Sequence, residues 1–212
     1  MTPLRDAYLA AAEPAAALLA DPAVARSWDA PSALAQFPVS GLAGHLASQI
    51  LSVPRALAMP VPDDEAIPLI DHYTRARWIG AALDDEINVG IRRLGEDIAA
   101  GGAAELAARA QAAVRDLREA LAAEPDGRTV PVPAGPWSLS LDDFLTTRMM
   151  ELAVHSDDLA VSVGVPTPDL PAAVLDPVFA LLTRLAVHRH GPTALLHALS
   201  RAERAPTTVA AF

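Results

Sequence analysis

Apolar residues recur at three- and four-residue intervals along most of this chain, the period of helices that bury one face. The first such pattern covers residues 3–20 and stops around Asp21-Pro22. The segment AVARSWDAPSALAQFP follows, and its Pro31 and Pro38 predict a loop. A second helix is predicted after Ser40, a residue type that caps orphan backbone N–H groups. GLAGHLASQILSVPRAL then runs to a kink or an end near Pro54. The three prolines of MPVPDDEAIP mark a linker. Beyond it a third helical region spans roughly 68–100, stopped by Gly101-Gly102, and a fourth spans 103–123.

PDGRTVPVPAGPWSLS interrupts the helical period and predicts a loop with a short β-ribbon, Thr129–Val132 beside Trp137–Leu139. Ser140 followed by Asp143 matches a capping box that opens a helix over 141–164, ended by Gly164 before Pro166. Two further helices are predicted over 171–189 and 192–201. No fixed-period repeat is present. The outline is an all-α bundle, and a single domain over 1–212 is the simplest organisation.

The helix over 141–164 carries the most informative pattern. Leu145, Met149, Leu152, Ser156, Leu159 and Val163 form a mainly apolar stripe. Beside it run Phe144, Arg148, Glu151, His155, Asp158 and Ser162, while Val154 and Val161 make much of the remaining surface apolar. A helix apolar nearly all round is expected to be buried, which places this charged row close to the interior. Charges are seldom buried without a partner or a metal, because desolvation is expensive.

From spacing alone, a Glu–His pair at i, i+4 is most often an ordinary helix-surface pair. Glu151 and His155 nevertheless project one turn apart from the same face and can converge on one ion. His45 is the best third ligand, because Leu42, Leu46 and Ile50 set it beside the inward stripe of the second helix. His45, Glu151 and His155 would then form a His2Glu set with open positions, the pattern of catalytic zinc. Asp158, one turn beyond His155, could hold the imidazole N–H, and Arg148 could balance charge or grip an anionic substrate. His72 and His197 have no carboxylate at ligand spacing. His188 and His190 suit a helix end. Trp28, Trp78 and Trp137 are read as core.

Just over half of the chain is apolar, mostly Ala, Leu and Val, which favours helices. A net charge of −10 with no basic cluster argues against nucleic acid as a partner. There are no cysteines, so disulfides and thiolate zinc sites are excluded and any thiol chemistry needs a borrowed thiol. Asp6, Glu13 and Pro14 interrupt the N-terminal apolar run, and no run reaches membrane-spanning length. A cytoplasmic protein is expected, with no membrane partner.

Two stretches carry a family resemblance: Ser40-x-x-x-x-His45-Leu46, and Arg148-x-x-Glu151-x-x-x-His155-x-x-Asp158-Leu159. Together they resemble the DinB-like superfamily, and within it the mycothiol-dependent maleylpyruvate isomerase family of actinobacteria. The resemblance covers roughly residues 3–164. It implies a DinB-like four-helix bundle with additional C-terminal helices over 171–201. It also implies a divalent metal, zinc first and nickel or iron as alternatives, on the positions of His45, Glu151 and His155. Asn88 matches a position that often carries Asn in such proteins and is expected to contact the cofactor. Mycothiol is the implied cosubstrate, activated for S-transfer to an electrophile or for cis–trans isomerisation. The isomerases themselves carry a further C-terminal domain that supplies an arginine. Here that region is read as helices bearing Arg184, Arg189, Arg201 and Arg204, so a thiol S-transferase is expected ahead of a maleylpyruvate isomerase. The competing reading is a bundle of the same fold that binds a ligand or partner without turnover. A helical DNA-binding regulator disagrees with the charge. A di-iron bundle needs two Glu-x-x-His motifs, which are absent.

Overall fold

Thr2 opens the first helix by accepting the Arg5 N–H, and Pro3 stands at the first helical position, where a missing N–H costs nothing. The protein is described here by a computed structural model covering residues 1–133 and 135–212. Its helices are α1 (Pro3–Leu19), α2 (Pro22–Arg26), α3 (Val39–Leu57), α4 (Leu69–Thr74), α5 (Glu86–Ala99), α6 (Ala103–Ala123), α7 (Leu141–Val163), α8 (Ala172–His190) and α9 (Pro192–Ser200). A 3-10 turn, Ala202–Arg204, follows.

Four boundaries differ from the sequence expectation, each for a local reason. The segment expected to be loop after Asp21 begins with the single turn α2, because Asp21 accepts the Ala23 N–H and Pro22 is preset for a helix start. The cap of α3 is Pro38, not Ser40, which already lies in the first turn; no side chain caps this helix. Pro54 does not end α3, which runs on to Leu57. So close to the C-terminus, proline removes only one late backbone bond. The region expected as one helix over 68–100 divides into α4 and α5. Gly80 takes a left-handed φ of 75° between them, and Asp85 restarts the helix by accepting the Ile87 N–H.

The expected ribbon is present as β1 (Thr129–Pro131) antiparallel to β2 (Ser138–Ser140), with Val130 opposite Leu139. Ala134, within the loop predicted between the strands, lies outside the described residues. Ser140 then caps α7 through the Asp143 N–H at 3.0 Å, and Gly164 ends α7 at φ 71°. The Ile67 N–H bonds the Ser138 carbonyl at 2.9 Å, so the ribbon also fixes the approach to α4.

The fold is all-α, and its core is a four-helix bundle of α1, α3, α6 and α7. Helix α1 packs on α6 and α7, and α3 packs on the same two. Leu42, Leu46 and Ile50 of α3 meet Leu145, Met149 and Leu152 of α7 in one apolar cluster, all buried. Each such side chain contributes about 1.5–3 kcal/mol when buried. Outside the bundle, α5 crosses α3 at near-contact of the backbones. A Cβ added to Gly44 would stand 1.9 Å from the Gly95 carbonyl oxygen, and one added to Gly95 would stand 2.5 Å from that of Gly41. Gly44 and Gly95 thus set the depth of the crossing, with Gly44 next to His45 in the chain. Helix α8 packs on α7 and α1. Among the described residues, no helix is long and apolar enough to cross a membrane.

Candidate metal centre

His45 lies in the middle of α3, flanked by the fully buried Leu42 and Leu46, which turn its face toward α7. Glu151 and His155 lie one turn apart on α7 and face it. The three side chains offer ligand atoms that all lie within 4.8 Å of one another. His45 Nε2 is 3.4 Å from Glu151 Oε2, and His155 Nε2 is 3.1 Å from the same oxygen. The two imidazoles meet edge to face with centroids 4.6 Å apart. Donors held about 2 Å from a tetrahedral ion stand about 3.3 Å from each other, so the two measured separations straddle the spacing a zinc-like ion requires.

The burial of this group is partial, with side-chain exposures of 17% for His45 and 15% for both Glu151 and His155. Helix α7 is not enclosed all round as its composition suggests: Val154 and Val161 face solvent at 38% and 62% exposure. The charged row therefore lies between the apolar stripe and this outer face, shielded but reachable.

Hydrogen bonds set the chemistry of each member. Burial disfavours charge on Glu151, but bonds from His155 and His45, with the charge of both rings, outweigh it and hold the carboxyl well below the usual range. Burial also opposes charge on His155; bonds to Asp158 and Glu151 prevail and raise the ring to about 9. His45 moves the other way, lowered by burial, with the His155 charge adding to it against the bond to Glu151. The pair of imidazoles is thereby split, one readily neutral and one holding a proton that an incoming ion would displace.

Asp158 lies where the sequence places it, with Oδ2 2.9 Å from His155 Nδ1. The ring is therefore fixed with Nε2 toward Glu151 and His45, as in carboxylate–histidine pairs that orient metal ligands. Arg148 stands one turn before Glu151. Its Nη1 donates to Gln49 Oε1 at 2.6 Å, its Nε donates to Thr147 Oγ1 at 3.0 Å, and its guanidinium lies 5.2 Å from the Phe144 ring centre. Asn88 is not among the side chains brought together: its amide donates to the carbonyls of Ala81 and Ala82, at 3.3 and 2.9 Å, and ties down the turn before α5.

Three neighbours were not singled out from the sequence. Gln49, four residues after His45 and only 2% exposed, donates to the His45 carbonyl and accepts from Arg148, joining the two halves of the site. A glutamine on an apolar helix face, at i+4 from a candidate ligand, was the available signal. His72 and Tyr73 on α4 are buried, and the charges of Arg148 and Glu151 act on both. Nothing in their spacing marks them, because α4 is placed by long-range bonds, from Ile67 to Ser138 of the ribbon and from Trp137 to His72.

A family model described as the mycothiol maleylpyruvate isomerase N-terminal domain matches residues 8–160, from α1 to the last turns of α7, and the match includes all of His45, Glu151, His155 and Asp158. Comparisons with curated proteins and with solved structures give no significant match. The ordered motifs on α3 and α7, the bundle they build and this match agree, and the chain belongs to the mycothiol maleylpyruvate isomerase N-terminal domain family of the DinB-like superfamily.

Proposed function

We propose that this protein is a metal-dependent enzyme, working as a single domain in the cytoplasm, that activates mycothiol or a similar small thiol. The activated sulfur attacks an electrophilic substrate, in S-transfer or in cis–trans isomerisation. The observation that carries the reading is the meeting of two imidazole nitrogens and one carboxylate oxygen from α3 and α7, all within 4.8 Å of one another and with both nitrogens 3.1–3.4 Å from the carboxylate. Residues 45, 151 and 155 would hold the ion and leave positions open. A bound divalent ion lowers the pKa of a thiol near it, supplying a nucleophile at neutral pH.

The chain's own residues do the remaining work. Asp158 accepts the Nδ1–H of His155 and keeps Nε2 directed at the centre. Gln49 holds Arg148 beside the cluster, where its fixed charge favours an anionic group on a substrate. Asn88 can reach a ligand only through its oxygen, since both amide hydrogens are spent on the 81–82 turn. In S-transfer, the thiol proton leaves to solvent, the sulfur–carbon bond forms, and the leaving group departs with its electron pair. The absence of cysteine from the chain agrees with a thiol supplied from outside.

Incubation of the zinc-loaded protein with mycothiol and monobromobimane tests this reading. Loss of free thiol well above the uncatalysed rate is expected, abolished by chelator and by Glu151→Gln. A rate equal to background with the metal bound would favour the non-catalytic bundle.

A further inference from the structure

Between α2 and α3 the chain doubles back on itself, from Trp28 to Ser40 in the first turn of α3. The Val39 N–H bonds the Ala30 carbonyl at 2.9 Å, the Ser40 N–H bonds that of Trp28 at 2.9 Å, and Pro31 lies opposite Pro38 in an antiparallel bridge. Farther out, the Ser32 N–H reaches the Phe37 carbonyl at 3.1 Å, and the Phe37 N–H closes a tight turn onto Leu34 at 3.1 Å. Inside that turn Gln36 takes φ 64°, among the described residues the one non-glycine in the left-handed region. A glutamine is strained there, and such strain persists only where surrounding contacts hold it.

The contacts that hold the tip fall on both sides of the candidate metal centre. The Ala33 N–H donates to Ser162 Oγ at 2.8 Å, and Ser162 donates in turn to the carbonyl of Asp158, the residue that orients His155. On the other side, the Phe37 ring centre lies 6.0 Å from that of His45, at 60° between the planes. Phe37 also packs beside Gly41, one turn before His45, where an added Cβ would stand 3.5 Å from Phe37 Cδ1. The segment thus runs from the last turns of α7 to the His45 ring on α3 and crosses the end of the cleft nearest the cluster. Its fastenings are unequal. The base ends on the fully buried Val39, whereas Ala33, Ala35 and Gln36 are exposed and the Ala33–Ser162 bond is open to water. Segments held by water-exposed bonds and few buried contacts open at low cost.

Resting on the functional reading above for its purpose, we propose that residues 31–38 form a strap over the end of the α3–α7 cleft, latched by Ser162, whose opening lifts Phe37 from His45 and admits small molecules to the cluster. The Ala30–Val39 rung is the hinge. Closed, the strap covers one flank of the His45 ring and keeps water from the place where a thiol would be activated. Open, it gives a ligand passage without parting the bundle helices.

Labelling of histidines with diethyl pyrocarbonate, read residue by residue by peptide mass spectrometry on the full chain after chelator treatment, tests the strap apart from the metal. Ser162→Ala removes the latch and touches no cluster side chain. It is expected to raise the His45 labelling rate about two- to tenfold, the range of one exposed hydrogen bond. Phe37→Ala should do at least as much, and Ser162→Thr, which keeps the hydroxyl, should return the parent rate. Thr167→Ala, which breaks an exposed bond to Asp157 just beyond α7, should leave it unchanged. His72 on α4 should label alike in all of them. On the zinc-loaded proteins, extraction by a chromophoric chelator should quicken in Ser162→Ala with the equilibrium affinity for zinc unchanged, since a gate alters entry and exit alike. Equal His45 labelling in the parent, Ser162→Ala and Phe37→Ala, a rise shared by His72, or zinc affinity that falls in Ser162→Ala would overturn the strap. A parent that binds no zinc but shows the expected His45 pattern would support the strap and remove the metal centre instead.

Discussion

At one end of the bundle, Arg5 gives its guanidinium to the carbonyls of Leu121, Glu124 and Pro125 at 2.6–3.0 Å, with Asp142 3.5 Å from its Nε. Arg128 there reaches the carbonyls of Leu57 and Met59, and Glu124 lies 3.3 Å from its Nε. In the cleft between α3 and α7, Arg148 is met by one amide and one hydroxyl. The first pair takes up the orphan carbonyls that end α6 and α3, where the helix dipole also favours a cation. Their charge and their donors are spent on holding helix ends together. Arg148 retains its charge for something else. A buried arginine is thus a strut or a ligand-binding group according to what it meets, and the residue type alone does not distinguish them.

The largest effect expected from this contrast is at Arg5. Arg5→Ala leaves three carbonyls and Asp142 without their cation and should destabilise the fold by about 3–5 kcal/mol. Arg148→Gln removes one charge that has no ionic partner and should cost about 1 kcal/mol or less. Chemical denaturation of both variants measures the difference. Equal losses would erase the distinction between strut and binding group.

Gly44→Ala probes what holds the cleft side, where backbone packing takes the place of ion pairs. Its methyl would meet the Gly95 carbonyl at 1.9 Å, so α5 must lift from α3. A loss of about 3 kcal/mol, from overpacking, is expected in the same denaturation experiment. Zinc affinity should fall with it, because the crossing lies beside His45.

His72 sharpens the comparison through pH. Its folded-state value, about 4, lies below the value of about 6.5 expected for an unfolded histidine, so the unfolded chain binds the additional proton. Its contribution is present above about pH 6.5 and is lost as pH falls toward 4, on the order of 3 kcal/mol across that range. Unfolding free energies at pH 7 and pH 4.5 should differ more in the parent protein than in His72→Gln. Identical pH slopes would show that the ring is not held neutral by its surroundings.

A smaller effect is expected at Asp158, which positions His155 without being a ligand. Asp158→Asn should weaken zinc binding by about 10- to 100-fold while leaving the fold intact. Competition with a chromophoric chelator gives the number. Because His155 must lose a proton that its neighbours hold up to about 9, zinc affinity should rise with pH through that region in the parent protein and less steeply in Asp158→Asn.

The parts of this molecule that could be read from the chain are those with local causes. The capping serine at 140 and the left-handed glycine at 164 bound α7 correctly, and the i, i+4 spacing of Glu151 and His155 set them on one face. The apolar neighbours of His45 aimed it inward. The break between α4 and α5 was not readable from helical periodicity, since it depends on Gly80 and on Asp85 acting as a fresh cap. His72 was passed over because no carboxylate stands at helical spacing from it. Its partners come from distant segments, Trp137 from beside the ribbon and the charge of Arg148 from α7. The exposure of Val154 and Val161 likewise shows that a helix rich in apolar residues can still keep an outer face.

The central claim is that side chains from α3 and α7 hold one divalent ion. Elemental analysis of the purified protein beside His155→Ala, both loaded with zinc and then desalted, tests it most directly. About one ion per chain is expected in the parent, a small fraction of that in the variant, and cooperative unfolding in both. Equal metal in the two proteins, or none in the parent, would contradict it.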